Sequence, residues 1–381
     1  MNAIAPEELQ AWLRFLLTPG LGPLQARRLL AALGAPQAVW AAGPSVWGDV
    51  LGQRGVKAWA QPPADLDEQL TRTLGWAELD GRHILSLADA RYPQALLDAA
   101  DPPLLLFAEG DLRTLEAPAV AVVGSRHATP QGLAHAQSFS QGLAEAGVVV
   151  VSGLARGIDA AAHQGALAAG EALGRPCTLA VVGTGLDTVY PKAHAPLARR
   201  IAAHGLVLSE LALGAPPLPA HFPRRNRIVA ALSRATLVVE AALQSGSLIT
   251  ARLAAEMGRD VMAVPGSILA AQSRGCHALI KQGAKLVEGV ADILDELALP
   301  PAGAATTLGE DAAASAPGTD VPTDSPDPVL AAMGFDPISQ EALGARTGMG
   351  PAELGVRLLA LELGGQVARL PGQLFQRQRA A

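Results

Sequence analysis

Apolar residues recur along this chain with two different periods. In Glu8–Leu17 and Gln25–Leu33 they return every three to four residues, which predicts amphipathic helices. The turn Thr18-Pro-Gly-Leu-Gly-Pro23 separates them, and residues 1–75 read as a helical domain. Residues 76–117 read as a connecting region, with a short strand at His83–Leu87, a turn at Asp89–Pro93 and an apolar run at Leu104–Ala108. From Pro118 strands alternate with helical stretches. The strands are Val120–Val123, Val148–Ser152, Thr178–Val182, Leu206–Ser209, Leu237–Glu240 and Val261–Val264. Strands this uniformly apolar are buried on both faces, and the connections are long enough for right-handed crossovers. Residues 118–299 therefore predict an α/β domain with a doubly wound parallel sheet.

Pro300–Pro328 has no periodicity and is rich in Ala, Pro, Gly, Thr and Asp, so it reads as a flexible linker. Residues 329–381 follow as a compact unit. Helical patterns at Val329–Met333, Ser339–Arg346 and Pro351–Leu363 precede Gln366–Leu370, Pro371-Gly372 and Gln373–Phe375. Three helices and a hairpin outline a winged helix.

The chain has 381 residues and a net charge of −6, with half of its residues hydrophobic. A protein that coats nucleic acid over its whole surface is not acidic, so an anion site here has to be a local cluster. The two cysteines, Cys177 and Cys276, exclude a disulfide framework and a zinc site. No leader precedes the first helix and no apolar run reaches the ~20 residues of a membrane span, so the expectation is a cytoplasmic protein that does not enter membranes. Aromatics are 3 %, and every tryptophan precedes residue 80, leaving few side chains on which bases could stack.

Candidate chemistry gathers at the ends of the predicted strands. The first strand runs into Gly124-Ser125-Arg126, where the glycine allows a tight turn and Arg126 offers a fork for phosphate. Thr129 and Pro130 then open a helix, and a helix N-terminus favours anions. The second strand ends in Ser152-Gly153-Leu-Ala-Arg156-Gly157-Ile-Asp159, with Asp159 as an N-cap that could reach His163 one turn on. The third is followed by Lys192, a second phosphate ligand or a solvated lysine. His221-Phe222-Pro-Arg224-Arg225-Asn226-Arg227 is the most cationic segment. On a helix start at most two of its arginines can face one ligand. Phe222 could stack on a base or anchor the loop, and Asn226 could cap the helix or read a base edge. Ser245-Gly246-Ser247 opens a further helix at the same edge.

Several chemistries are missing. No G-x-G-x-x-G follows the first strand, and there is no Walker lysine, no G-x-S-x-G elbow and no metal-ligand spacing. The expectation is a site that holds anions, with no catalytic residue, no metal and no cofactor.

The runs VAVVGSR, VVVVSGLARGID, GTGLDTVYP, LVLSE, HFPRRNRIVAALS, VVEAALQSGSLITA, VMAVPGS and GCHALIKQGAKLV, in this order, resemble the DNA-processing protein A family (DprA, also called Smf) over nearly all of Pro118–Leu297. The resemblance implies an extended Rossmann-like fold flanked by a helical N-terminal domain and a C-terminal winged-helix domain. It implies a homodimer without established catalysis that binds single-stranded DNA and loads the RecA recombinase during DNA uptake and natural transformation. The DNA pocket it implies lies at Arg126, Gly153, Lys192 and the Phe222–Arg227 loop. His194 and His277 stand where the family usually has Asn, and the Thr18–Pro23 turn resembles a helix-hairpin-helix.

Two rivals are weighed. Related Rossmann-like hydrolases that release a base from a nucleotide carry a P-G-G-x-G-T loop, whereas here Pro265-Gly266 is followed by Ser267 and Glu240 stands without that loop. A winged-helix transcription regulator needs a basic recognition helix, and Pro351–Leu363 holds only Arg357.

Overall fold

In a computed structural model, residues 4–52, 56–299 and 327–378 are described. The expected linker, apart from its last two residues, lies outside them.

The helices α1 (Pro6–Leu17), α2 (Pro23–Leu33), α3 (Pro36–Leu51) and α4 (Leu66–Ala77) form the N-terminal layer. The first three open on proline, whose missing N–H is no loss at a helix start. Their apolar faces bury Leu9, Trp12, Leu13, Phe15, Leu29 and Trp47 in one cluster. The turn between α1 and α2 is closed by its own bonds: Leu21 N donates to Thr18 O (3.3 Å), and Gln25 Oε1 accepts from Gly22 N (2.9 Å).

Next come β1 (Arg82–Ser86), α5 (Gln94–Leu97) and β2 (Leu105–Gly110). Here the structure departs from the expected connecting region. β1 pairs antiparallel with β2, and β2 pairs antiparallel with a strand of the main sheet, so this segment belongs to the sheet itself. The reason lies in β2's alternation. Leu105 and Phe107 enter the helical cluster, while Leu106 and Ala108 enter the sheet core.

The doubly wound part runs β3 (Ala119–Val123), α6 (Pro130–Glu145), β4 (Val149–Ser152), α7 (Ile158–Leu173), β5 (Thr178–Val181), α8 (Ala195–His204), β6 (Leu206–Ser209), α9 (His221–Ala231), β7 (Ala235–Val238), α10 (Ser247–Glu256), β8 (Asp260–Ala263), α11 (Arg274–Lys281), β9 (Lys285–Leu286) and α12 (Val290–Glu296). Among the described residues the sheet has nine strands in the order β1-β2-β6-β5-β4-β3-β7-β8-β9, and β3 to β9 pair in parallel. All six expected strands are present, the fifth two residues earlier than read. β9 escaped notice because two residues carry no period. Every residue of β3 to β7 is buried, as strands covered on both faces require.

The C-terminal body holds α13 (Pro328–Met333), β10 (Ile338–Ser339), α14 (Gln340–Thr347), α15 (Pro351–Leu363), β11 (Val367–Leu370) and β12 (Leu374–Arg377). Its strands form a small sheet in the order β10-β12-β11. Val329, Met333, Leu343, Leu354, Leu358 and Phe375 build a core of its own, in the expected winged-helix arrangement.

Candidate nucleic-acid interface

The strand order reverses between β3 and β7. From β3 the chain winds outward through β4, β5 and β6, then returns to lay β7, β8 and β9 on the other side. Loops leaving β3 and β7 therefore diverge, and ligands of open α/β sheets sit in the crevice this leaves at the carboxyl ends. A cavity of about 440 Å³ occupies that place.

Its floor is the turn after β3. Ser125 N donates to Glu240 O (2.7 Å), Ser125 O accepts from Ile158 N (3.1 Å), and Ser125 Oγ accepts from His127 N (3.1 Å), so the turn is laced to β7 and α7. A Cβ on Gly124 would lie 2.6 Å from Ile158 Cγ1 and 2.8 Å from Glu240 O, which leaves room for glycine alone. Arg126 is exposed above this floor, its guanidinium carbon 5.8 Å from the centre of the Phe222 ring.

The second wall is α9. Phe222 is half-buried at its start, with Tyr190 at 5.3 Å on one side and the Arg225 guanidinium at 5.7 Å. The ring thus lines the cavity and also braces the loop, which is the anchoring role read for it from the sequence. Asn226 Nδ2 donates to Gly246 O (3.4 Å), tying α9 to the turn that opens α10. In that turn Ser245 Oγ and Ser247 Oγ share a hydrogen bond of 2.7 Å.

The three arginines of α9 separate. Arg225 is buried and lies in the cavity wall. It donates to Gly153 O and to Val181 O (2.7 Å), and its Nη2 is 3.9 Å from Asp159 Oδ2. Burial lowers its pKa to about 10, with Asp159 opposing the shift. Arg227 turns away from the cavity and pairs with Glu210 and Asp101. Arg224 is exposed and also reaches Glu210, Nε to Oε1 at 3.2 Å. Glu210 is itself buried, which raises its pKa against the pull of the two arginines.

Asp159 lies in the first turn of α7, but the N-cap is Gly157. Its carboxylate accepts from Gly153 N (3.2 Å) and Ala155 N (3.3 Å) rather than from His163. His163 Nδ1 meets Thr178 Oγ1 at 2.8 Å. That hydroxyl already donates to Val150 O, so Nδ1 carries the proton and Nε2 is left buried without a partner. Burial drives the His163 pKa down to about 3.

Gly124, Ser125, Arg126, Gly153, Phe222, Arg225, Asn226, Ser245, Gly246 and Ser247 are thus brought together around one cavity. Arg156 and Lys192 stand exposed on the neighbouring loops after β4 and β5. Arg224 and Arg227 are not part of the cavity wall. Sequence reading missed His127, Gln244 and Gln272, which also line it. These side chains carry no spacing signal, and Gln272 arrives from the loop after β8. His194 and His277 each spend a ring nitrogen on the backbone, at Leu154 O (3.0 Å) and Gly266 O (3.0 Å). Leu154 is buried in the left-handed region, at a φ of 58°.

The family model described as DNA recombination-mediator protein A matches residues 83–298, and the model described as DprA winged helix domain matches residues 310–373. The chain belongs to the DNA recombination-mediator protein A (DprA/Smf) family. Protein Smf of Escherichia coli is 40 % identical over 319 residues, 82 % of each chain. Protein Smf of Synechocystis is 33 % identical over 98 % of this chain and all of its own. The crystal structure of DNA processing protein A from Streptococcus pneumoniae superposes with a TM-score of 0.65, at 41 % identity, over 77 % of this chain and 98 % of that one. The Helicobacter pylori protein, whose structure is described by its single-stranded DNA binding mode, superposes with a TM-score of 0.52 at 31 % identity over 58 % of this chain and 97 % of that one. The resemblance read from the sequence is therefore the family itself, with the α/β fold and winged-helix body that it implied. Among the described residues of this DprA/Smf chain, no helix is long and apolar enough to cross a membrane.

Proposed function

We propose that this protein, like the Helicobacter pylori relative, binds single-stranded DNA, that it does so at its own switch-point cavity, and that it mediates recombination by passing the strand to the RecA recombinase. On this reading it works in the cytoplasm as a homodimer, in DNA uptake and natural transformation. The observation that carries the reading is Arg126: an exposed cation packed against an aromatic ring, over a turn of small residues, at the carboxyl edge of the sheet. Such a pair offers one phosphate contact and one stacking face, which single strands need and duplexes do not.

The reading is of a binding protein and not an enzyme. Asp159, the carboxylate lining the cavity, already accepts two N–H groups and faces Arg225, so its oxygens are committed to holding the loop after β4. The winged-helix body is not read as a groove reader, because Arg357 in α15 is paired with Asp327 at 2.7 Å.

Gel shifts with single- and double-stranded oligonucleotides over a range of salt test the proposal. Preference for the single strand, weakening with salt, is expected. Equal affinity for both forms, or release of free base from a mononucleotide, would overturn it.

A further inference from the structure

The exposed cations at the carboxyl edge of the sheet follow the strand order. Lys192 stands after β5, Arg156 after β4 and Arg126 after β3; then come Ser245 and Ser247 after β7, and finally Arg274 after β8. None of the four cations forms an ion pair among the described residues, whereas Arg225 and Arg227 on α9 are taken up by the fold. Arg274 carried no sequence signal, because it lies far along the chain in no cationic motif.

The loop that delivers Arg274 is fastened to the cavity. Ala241 N donates to Gln272 O (2.7 Å) and Gly275 N donates to Ala241 O (2.7 Å), so the residues on both sides of Ser273-Arg274 are held on the end of β7. Gln272 lines the cavity, and its Nε2 donates to His127 O (3.3 Å). A Cβ on Gly275 would lie 2.5 Å from Ala241 O, which fixes the start of α11 against that strand end.

The same loop exposes two adjacent aliphatic side chains, Ile268 at 80 % and Leu269 at 86 %. Val264 to Arg274 contains no acidic residue. A loop that exposes a cation and bare aliphatic side chains and carries no carboxylate is complementary to a phosphate and a neighbouring base.

We propose that the loop after β8 continues the single-strand path beyond the cavity, with Arg274 taking a phosphate and Ile268 and Leu269 supporting a base. The inference rests on the proposed DNA binding and extends it in length. Neighbouring strands lie about 4.8 Å apart, so the four intervals from β5 to β8 span about 19 Å. That is roughly five to six nucleotides at the stacked rise of about 3.4 Å, and fewer when the strand is stretched.

The test uses the full-length protein, fluorescence anisotropy with a ladder of oligo-dT lengths, and a salt series at each length. Arg274→Ala should reduce the magnitude of the log K against log[salt] slope by about 0.7 on a long strand. On a strand too short to leave the cavity it should change nothing, and Arg274→Lys should restore the slope. The double change Ile268→Ser with Leu269→Ser should weaken long strands selectively and leave the molar mass by light scattering unaltered. An unchanged slope for Arg274→Ala overturns the path. So does a double variant that alters molar mass without altering long-strand affinity, since the aliphatic pair would then be covered by a second copy of the chain. If the wild type binds no single strand at all, the underlying reading of the cavity has failed; if it binds and only the Arg274 and Ile268–Leu269 results are null, the extension alone has failed.

Discussion

Arg225 occupies the space that a side chain on Gly153 would need. The Arg225 guanidinium donates to the Gly153 carbonyl, and a Cβ on Gly153 would be driven into that same guanidinium and to 2.8 Å from Asp159 Oδ2. The end of β4 is thereby pinned to α9 through a buried cation. Gly153→Ala is expected to displace Arg225 and to cost about 1–3 kcal/mol. Chemical denaturation read by circular dichroism measures this, and wild-type stability in the variant would refute the fit.

Arg227 and Arg126 should behave oppositely. Arg227→Ala leaves Glu210 buried with Arg224 as its remaining partner, a loss of roughly 3 kcal/mol. The salt slope of single-strand binding should not move. Arg126→Ala and Lys192→Ala should leave the melting temperature unchanged and each lower the slope by about 0.7. Thermal melts and salt titrations on the three variants distinguish a framework arginine from a ligand cation.

His163 gives the fold a pH dependence. Its pKa is near 6.5 when unfolded and about 3 when folded, so between these values the unfolded chain binds more protons. Its contribution is fully present above pH 6.5 and is lost as pH falls toward 3. At pH 5 the loss is about 2 kcal/mol. Asp159 and Glu210 work the other way: burial raises their pKa values, so their contribution falls as pH rises above the unfolded carboxylate range. The difference between wild type and His163→Gln isolates the histidine. That difference should shrink from pH 7 to pH 5, and a constant difference in unfolding free energy would refute the assignment.

The C-terminal body has its own core, from Val329 and Met333 to Phe375, and the sheet has others. A chain ending at Leu299 should therefore be soluble and keep most of its affinity for single-stranded DNA. Aggregation, or loss of most of that affinity, would make the winged-helix body part of the binding platform.

What the sequence determined by itself is what depends on local order. The buried strands β3 to β7 announce themselves because a segment covered on both faces must be apolar throughout. Gly124, Gly153 and the small residues at Ser245–Ser247 announce a close approach of backbone at strand ends. The motifs that carry the family lie in the same places, so fold, family and the location of the cavity were all readable. The tertiary structure decided what depends on who faces whom. Arg224, Arg225 and Arg227 look alike in the chain. Yet one buried carboxylate more than a dozen residues away, Glu210, takes Arg227 and part of Arg224, and two strand-end carbonyls take Arg225. The segment 76–117 became two strands of the sheet only because β6 offered an unpaired edge and the helical layer offered β2 a second core. Gln272 and Arg274 reached the carboxyl edge because β8 lies beside β7, an adjacency set by hydrogen bonding between strands and written in no local pattern.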